Sequence, residues 1–183
     1  MNETIRKHFQ NIRSADAHVQ HAAFLSILKV TQKPVGWAYE VWDDLLQMLA
    51  DKDNHVRAIG AQVLCNLAVS DPKGRMLKDF EQLLAVTRDE RFVTARHTFQ
   101  AMWKVGLAGT RQRKLLLDGL GRRFKECARE KNCTLIRYDI NVSLRNLYDA
   151  VKDEDVKRGA LAWNETEKDP KYRRKYATVW RRR

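Results

Sequence analysis

A chain of 183 residues with 44% hydrophobic and 32% charged positions can bury a core without disulfides and is too apolar to be disordered. Its 8 Gly and 3 Pro are too few for turn-rich sandwiches or barrels, so long helices are expected. The formal net charge of +12 points to an acidic partner.

Apolar residues recur at spacings of three and four along the chain. They predict helices over 3–13, 17–31, 37–50, 54–69, 75–87, 92–106, 111–131, 134–151, 153–166 and 170–182. Asp16-Ala17-His18-Val19-Gln20 leads into Ala22, Ala23, Leu25, Ile27 and Leu28, and Pro34 and Gly36 then interrupt the pattern. Val41, Leu45, Leu46, Met48 and Leu49 form the next apolar run. After it, Asp53-Asn54-His55-Val56-Arg57 opens a run through Ile59, Gly60, Val63, Leu64 and Leu67. Asp53 is placed to cap that helix by accepting a backbone N–H. Further breaks fall at Asp71-Pro72-Lys73-Gly74 and between Gly106 and Gly109. Ala95-Arg96 precedes Phe99, Met102 and Trp103, and Ile136-Arg137 precedes Ile140, Leu144, Leu147 and Tyr148. In Asp169-Pro170-Lys171-Tyr172-Arg173 the proline follows the candidate cap, where a missing N–H costs little.

These segments are one unit repeated. Val19, Val56, Ala95, Ile136 and Tyr172 fall at equivalent places, 37, 39, 41 and 36 residues apart, and the next residue is Gln20 and then Arg57, Arg96, Arg137 and Arg173. Asp-x-x-Val-Arg at the start of the second helix of a pair, at this period, resembles the HEAT repeat family of armadillo-type α-solenoids. The resemblance implies an all-α fold: a right-handed α-α superhelix of about five antiparallel helix pairs. It would form one repeat domain, with units of approximately 1–33, 34–71, 72–108, 109–151 and 152–183. It also implies that the recurrent arginine pairs with acids near the turns, and Asp53 and Asp89 are the candidates. Such repeats serve many unrelated roles, so the resemblance specifies fold better than function.

The charge is polarised along the chain. Residues 1–87 hold 10 Lys/Arg and 10 Asp/Glu, whereas residues 88–183 hold 25 and 13. Two segments concentrate the excess. In the first, Arg111, Lys114, Asp118, Arg122, Lys125 and Arg129 follow at helical spacing on one solvated face, with Arg113 beside them. In the second, Lys171, Arg173, Arg174, Lys175, Arg181, Arg182 and Arg183 occur with no acid among them, while Tyr172, Tyr176 and Trp180 share a face expected to pack inward. Both segments are candidate polyanion-binding surfaces.

No catalytic constellation emerges: there is no Gly-rich phosphate loop, no G-x-S-x-G and no H-E-x-x-H. Some HEAT-like proteins are DNA glycosylases that use an aspartate flanked by tryptophans, and Trp42-Asp43-Asp44 is the segment to compare. Those acids lie in the neutral half, however, and carry no residue match. His18, His21 and Asp16 lack the further ligand that a metal site needs. Cys65, Cys127 and Cys133 have no C-x-x-C spacing and read as reduced thiols. No cofactor or metal is expected. Met1–His8 lacks the apolar core of a signal peptide and no run is long enough to span a membrane, so the expected location is the cytoplasm, or the nucleus of a eukaryotic cell. The leading expectation is a non-enzymatic scaffold whose basic half binds an acidic protein. The alternative is nucleic-acid binding, with a role in DNA repair and alkyl-base glycosylase chemistry as its most specific form.

Overall fold

The computed structural model of the chain describes residues 1–181. Among them are ten α-helices and no strand: α1 (Glu3–Asn11), α2 (Ala17–Val30), α3 (Ala38–Met48), α4 (Asn54–Leu67), α5 (Met76–Ala85), α6 (Phe92–Met102), α7 (Thr110–Glu126), α8 (Cys133–Val151), α9 (Glu154–Glu165) and α10 (Pro170–Val179). Every helix starts within one residue of its expected position. At four of them the reason is local capping chemistry. Asp16, Asp53, Asp153 and Asp169 each sit in extended backbone, and each accepts a hydrogen bond from an amide of the first turn that has no partner inside its helix.

α8 ends at Val151 as expected, and the other helices stop short of their expected ends. α7 stops at Glu126, not at 131, and α6 stops at Met102, not at 106. Among the described residues the chain tightens in four places into a 3-10 segment: Ala68–Ser70, Val86–Arg88, Trp103–Ala108 and Cys127–Arg129. Ala68, Val86, Val105 and Cys127 are still buried there. The apolar pattern therefore runs on past the last i→i−4 bond and hides the true helix end.

The helices form two compact units, Met1–Thr98 and Phe99–Arg183. In the first, α1 packs on α2 and α3 on α4, while α2 also meets α4 and α3 also meets α5. Ile12, Ile27, Trp42, Leu45, Leu64, Leu67 and Phe80 fill this core. In the second unit α7 packs on α8 and α9 on α10, while α7 also meets α9 and α8 also meets α10. Its core holds Leu116, Leu120, Phe124, Ile140, Leu144, Leu147 and Tyr176.

The repeat register lands on the third or fourth residue of every even-numbered helix. Val56, Ala95 and Ile136 are buried there. Val19 is 39% exposed and Tyr172 is half-buried. These two lie on the first and last of the even-numbered helices.

Three polar groups lock the second unit internally. Asn141 Nδ2 donates to Asn164 Oδ1 at 2.9 Å, Asn164 Nδ2 donates back to Asn141 Oδ1 at 2.8 Å, and Trp180 Nε1 donates to that same oxygen at 2.8 Å. Both amides are buried, so their satisfied state matters. Of the inward face expected of Tyr172, Tyr176 and Trp180, the last two pack against other rings and Tyr172 is half-buried. Tyr176 is fully buried with its ring 6.3 Å from that of Phe124, and Trp180 lies 5.9 Å from Tyr148.

Gly106 does not act as the breaker that the sequence suggests. It lies buried inside the Trp103–Ala108 segment, and a Cβ there would stand 2.6 Å from Leu147 Cδ2. Gly121 plays the same part on α7, where a Cβ would stand 2.7 Å from Trp163 Cζ2. A rigid indole cannot yield as a flexible side chain can. Gly121→Ala is therefore expected to destabilise the unit by about 2 kcal/mol through overpacking. Gly36→Ala, with nothing within 4 Å of the added carbon, is the neutral control. Urea unfolding of both variants checks this, and equal midpoints would contradict it.

Candidate binding surface

The basic residues of the second unit lie on two separate helix faces. On α7 the side chains of Arg111, Lys114, Asp118, Arg122 and Lys125 are exposed, in a row opposite the buried row of Leu116, Leu120 and Phe124. Arg129 is exposed too, but it belongs to the 3-10 turn after the helix and not to the helical row. Arg113 turns away from the row and is half-buried, with its Nε 3.2 Å from Asp153 Oδ2.

On α10, Lys171, Arg174 and Lys175 are exposed on the side away from buried Tyr176, and Arg181 is exposed just past the helix. Arg173 leans toward Glu165, 3.7 Å away. Arg182 and Arg183 lie outside the described residues. α7 and α10 approach each other through Phe124 and Tyr176 in the core. The exposed cations of each helix lie on the side away from its buried residues, opposite Leu116, Leu120 and Phe124 on α7 and opposite Tyr176 on α10.

A different neighbour completes the α10 face. Between α8 and the end of α10 lies an open cleft of about 560 Å³, lined by Tyr138, Val142, Arg145, Asn146, Thr178, Val179 and Arg181. Lys175 Nζ stands 5.0 Å over the Tyr138 ring at its edge. Arg145 builds the cleft wall: Nη1 donates to the carbonyls of Val179 at 3.0 Å and Arg181 at 3.3 Å, and Nε donates to Asp149 at 2.8 Å. A cation at a helix C-terminus satisfies carbonyls that have no partner within the helix. The hydrogen bond from Arg145 holds the Asp149 carboxyl below the usual carboxylate range.

Sequence reasoning missed Tyr138, Arg145 and Asn146. The available signal was spacing. Tyr138, Val142, Arg145 and Asp149 follow at steps of four, three and four, on the face of α8 opposite Ile136, Ile140, Leu144 and Leu147.

The recurrent arginine is occupied elsewhere. Arg57 grips Asp89 with two hydrogen bonds, from Nε at 2.5 Å and from Nη2 at 2.8 Å, and its Nη1 donates to the carbonyls of Asp51 and Lys52. Arg137 repeats the device. Its Nη1 donates to Glu167 at 2.7 Å, its Nε donates to the Phe124 carbonyl at 3.1 Å, and its guanidinium stacks 4.6 Å from the Phe124 ring. Asp89 and Glu167 each stand three residues before the start of the next even-numbered helix. Gln20, at the same place in α2, donates to the Ile12 carbonyl at 3.0 Å. The expected acid Asp89 thus serves Arg57, while Asp53 caps α4. Burial opposes ionisation of both Asp89 and Glu167, but their arginines and the amides of Arg91 and Asp169 outweigh it, and both carboxyls lie below the usual range.

No family model, curated protein or solved structure matches this chain.

Trp42 is buried with Nε1 donating to Asp79 at 2.8 Å, and Asp43 is ion-paired with Arg75. The Trp-Asp segment is thus tied into the first unit's framework. His18 and His21 are exposed on α2. Among the described residues no three His, Cys, Asp or Glu side chains are grouped to hold a metal ion, and no helix is long and apolar enough to cross a membrane.

Proposed function

We propose that this chain is a non-enzymatic scaffold of the HEAT type, coiled as a right-handed α-α superhelix, that holds an acidic segment of a protein partner against α8 and α10. The pairing pattern within each unit supports the superhelix. Odd-numbered helices meet odd-numbered ones and even meet even, as stacked pairs require.

The cleft between α8 and α10 carries the functional reading. Its walls combine an aromatic ring, two aliphatic side chains, an amide and the cations Arg145 and Arg181, with Lys171, Arg174 and Lys175 along the adjoining ridge. Such a mixture suits a peptide better than a bare phosphate backbone. Apolar contacts reward side chains, while cations that stand apart give carboxylates separate partners.

The test uses a fluorescent polyglutamate peptide and a random-sequence DNA duplex as probes, each at low and moderate salt. Lys171→Glu/Arg174→Glu/Lys175→Glu should weaken peptide binding by about tenfold or more, because three attractive charges become repulsive. Arg111→Glu/Lys114→Glu/Lys125→Glu on α7 should change it by no more than about twofold. Equal losses from both triples would sink the assignment to α8 and α10. Duplex binding whose log affinity falls with log salt at a slope of about −5, the mark of roughly six phosphate contacts, would replace it with the nucleic-acid reading.

A further inference from the structure

No disulfide joins the three cysteines of this chain, and two of them meet. Cys127 opens the 3-10 turn after α7, and Cys133 is the first residue of α8. Their sulfurs lie 2.9 Å apart. Cys127 Sγ also donates to the Phe124 carbonyl at 3.3 Å, the same oxygen that accepts from Arg137 Nε. Cys127 is fully buried and Cys133 is half-buried. Burial, and then the neighbouring Cys133 thiol, push the Cys127 thiol up to about 12. Cys65 is buried in the first unit.

Two sulfurs at this separation need to close by only about 0.9 Å to reach bonding distance. The five residues between them already form a turn, so no chain entropy must be spent to bring them together. Two thiols alone do not make a metal site, and no third ligand joins them among the described residues.

We propose that Cys127 and Cys133 form a thiol–disulfide exchange site, closed reversibly into an intramolecular disulfide by small disulfides of the glutathione class. Cys133, the less buried residue of the two, gives up its proton and attacks one sulfur of glutathione disulfide. The S–S bond of that molecule breaks, and one glutathione leaves as a thiolate that takes up a proton. Cys127 then loses its proton to solvent and attacks the Cys133 sulfur, which breaks the mixed disulfide and expels the second glutathione. Two cysteines are oxidised and one glutathione disulfide is reduced to two thiols. The buried Cys127, which an external disulfide reaches less readily, resolves the adduct and does not start the exchange.

The experiment incubates the full chain with glutathione buffers of graded redox ratio, quenches by alkylation and reads intact mass. Wild type should lose two hydrogens and protect two thiols, with Cys65 still alkylated after denaturation, and excess dithiothreitol should reverse the change. Cys127→Ser should retain one glutathione on Cys133, and Cys133→Ser should react about tenfold more slowly than wild type, since only buried sulfurs remain. Wild type should also bridge about tenfold faster when folded than in guanidinium, because the fold holds the sulfurs together. Oxidation should raise the melting temperature by about 5 °C, as expected for a short closed loop. A stable glutathione adduct on wild type, bridging only after denaturation, or a melting temperature lowered by oxidation would each overturn the proposal. Circular dichroism of both serine variants separates a lost fold from a lost reaction.

Discussion

Trp42→Ala is expected to destabilise the Met1–Thr98 unit by about 4 kcal/mol, within the range for buried aromatic truncation. The Trp42 side chain is fully buried between α3 and its neighbours. Its ring meets Tyr39 edge-on at 5.8 Å and carries the Arg75 guanidinium at 5.6 Å. Truncation empties that volume and also removes the indole N–H from Asp79, a carboxylate that is 16% exposed. Arg75 Nε, 3.6 Å from Asp79, limits the second cost but not the first. Trp42→Phe keeps most of the packing and loses the donor, so about 2 kcal/mol is expected. Urea unfolding followed by circular dichroism reads both: the Ala midpoint should fall by about 2 M. A fall of less than half that would mean the site collapses around the truncation.

The second large effect concerns Arg137. Arg137→Ala leaves Glu167, which is 10% exposed, without its guanidinium, and leaves the Phe124 carbonyl without the Nε–H. Breaking a partly buried pair in this way costs about 3 kcal/mol. Arg137→Lys cannot reach the carboxylate and the carbonyl together, since its donors radiate from one atom, and should cost about half as much. The loss depends on pH. The folded Glu167 carboxyl lies below its ordinary value of 4.5. Its contribution is therefore complete above that pH and fades as pH falls through the depressed folded value. The stability gap between wild type and Arg137→Ala should be constant from neutral pH to about pH 5 and should narrow below about 4.5. A double-mutant cycle with Glu167→Gln measures the coupling. A gap that persists undiminished into strong acid would assign the cost to the Phe124 carbonyl and ring instead.

The helix starts were legible because they are written locally. An aspartate in extended backbone followed by the first apolar residue of a periodic run is a nearly complete instruction, and Asp16, Asp53 and Asp169 show it. The ends were not, because a 3-10 turn buries the same residue types as the α-helix it follows, as at Cys127 and Val105. Charge rows were legible on single helices, and the α7 row emerged as read except at Arg129 and Arg113. Their relation was not, because it depends on how α7, α8 and α10 are rotated against one another. Tyr138 and Arg145 acquire meaning only when the end of α10 arrives beside them, some 35 residues later in the chain. The contact of Cys127 with Cys133 was hidden for a related reason. The pattern reading continued α7 through 131, and a straight helix would have held the sulfurs apart.

The Asn141–Asn164 pair bears on a hazard of chains built from similar parts. Helix pairs that share a length and an apolar rhythm can bury nearly as much oily surface against the wrong neighbour as against the right one, so greasy contact alone chooses badly among them. Two facing amides that exchange donors, with Trp180 closing the set, accept only one alignment of α8, α9 and the segment after α10. Any shifted alignment strands dry donors, at a penalty per group that exceeds the modest gain of the bond itself. These side chains therefore act as an address, telling the last pair where to dock.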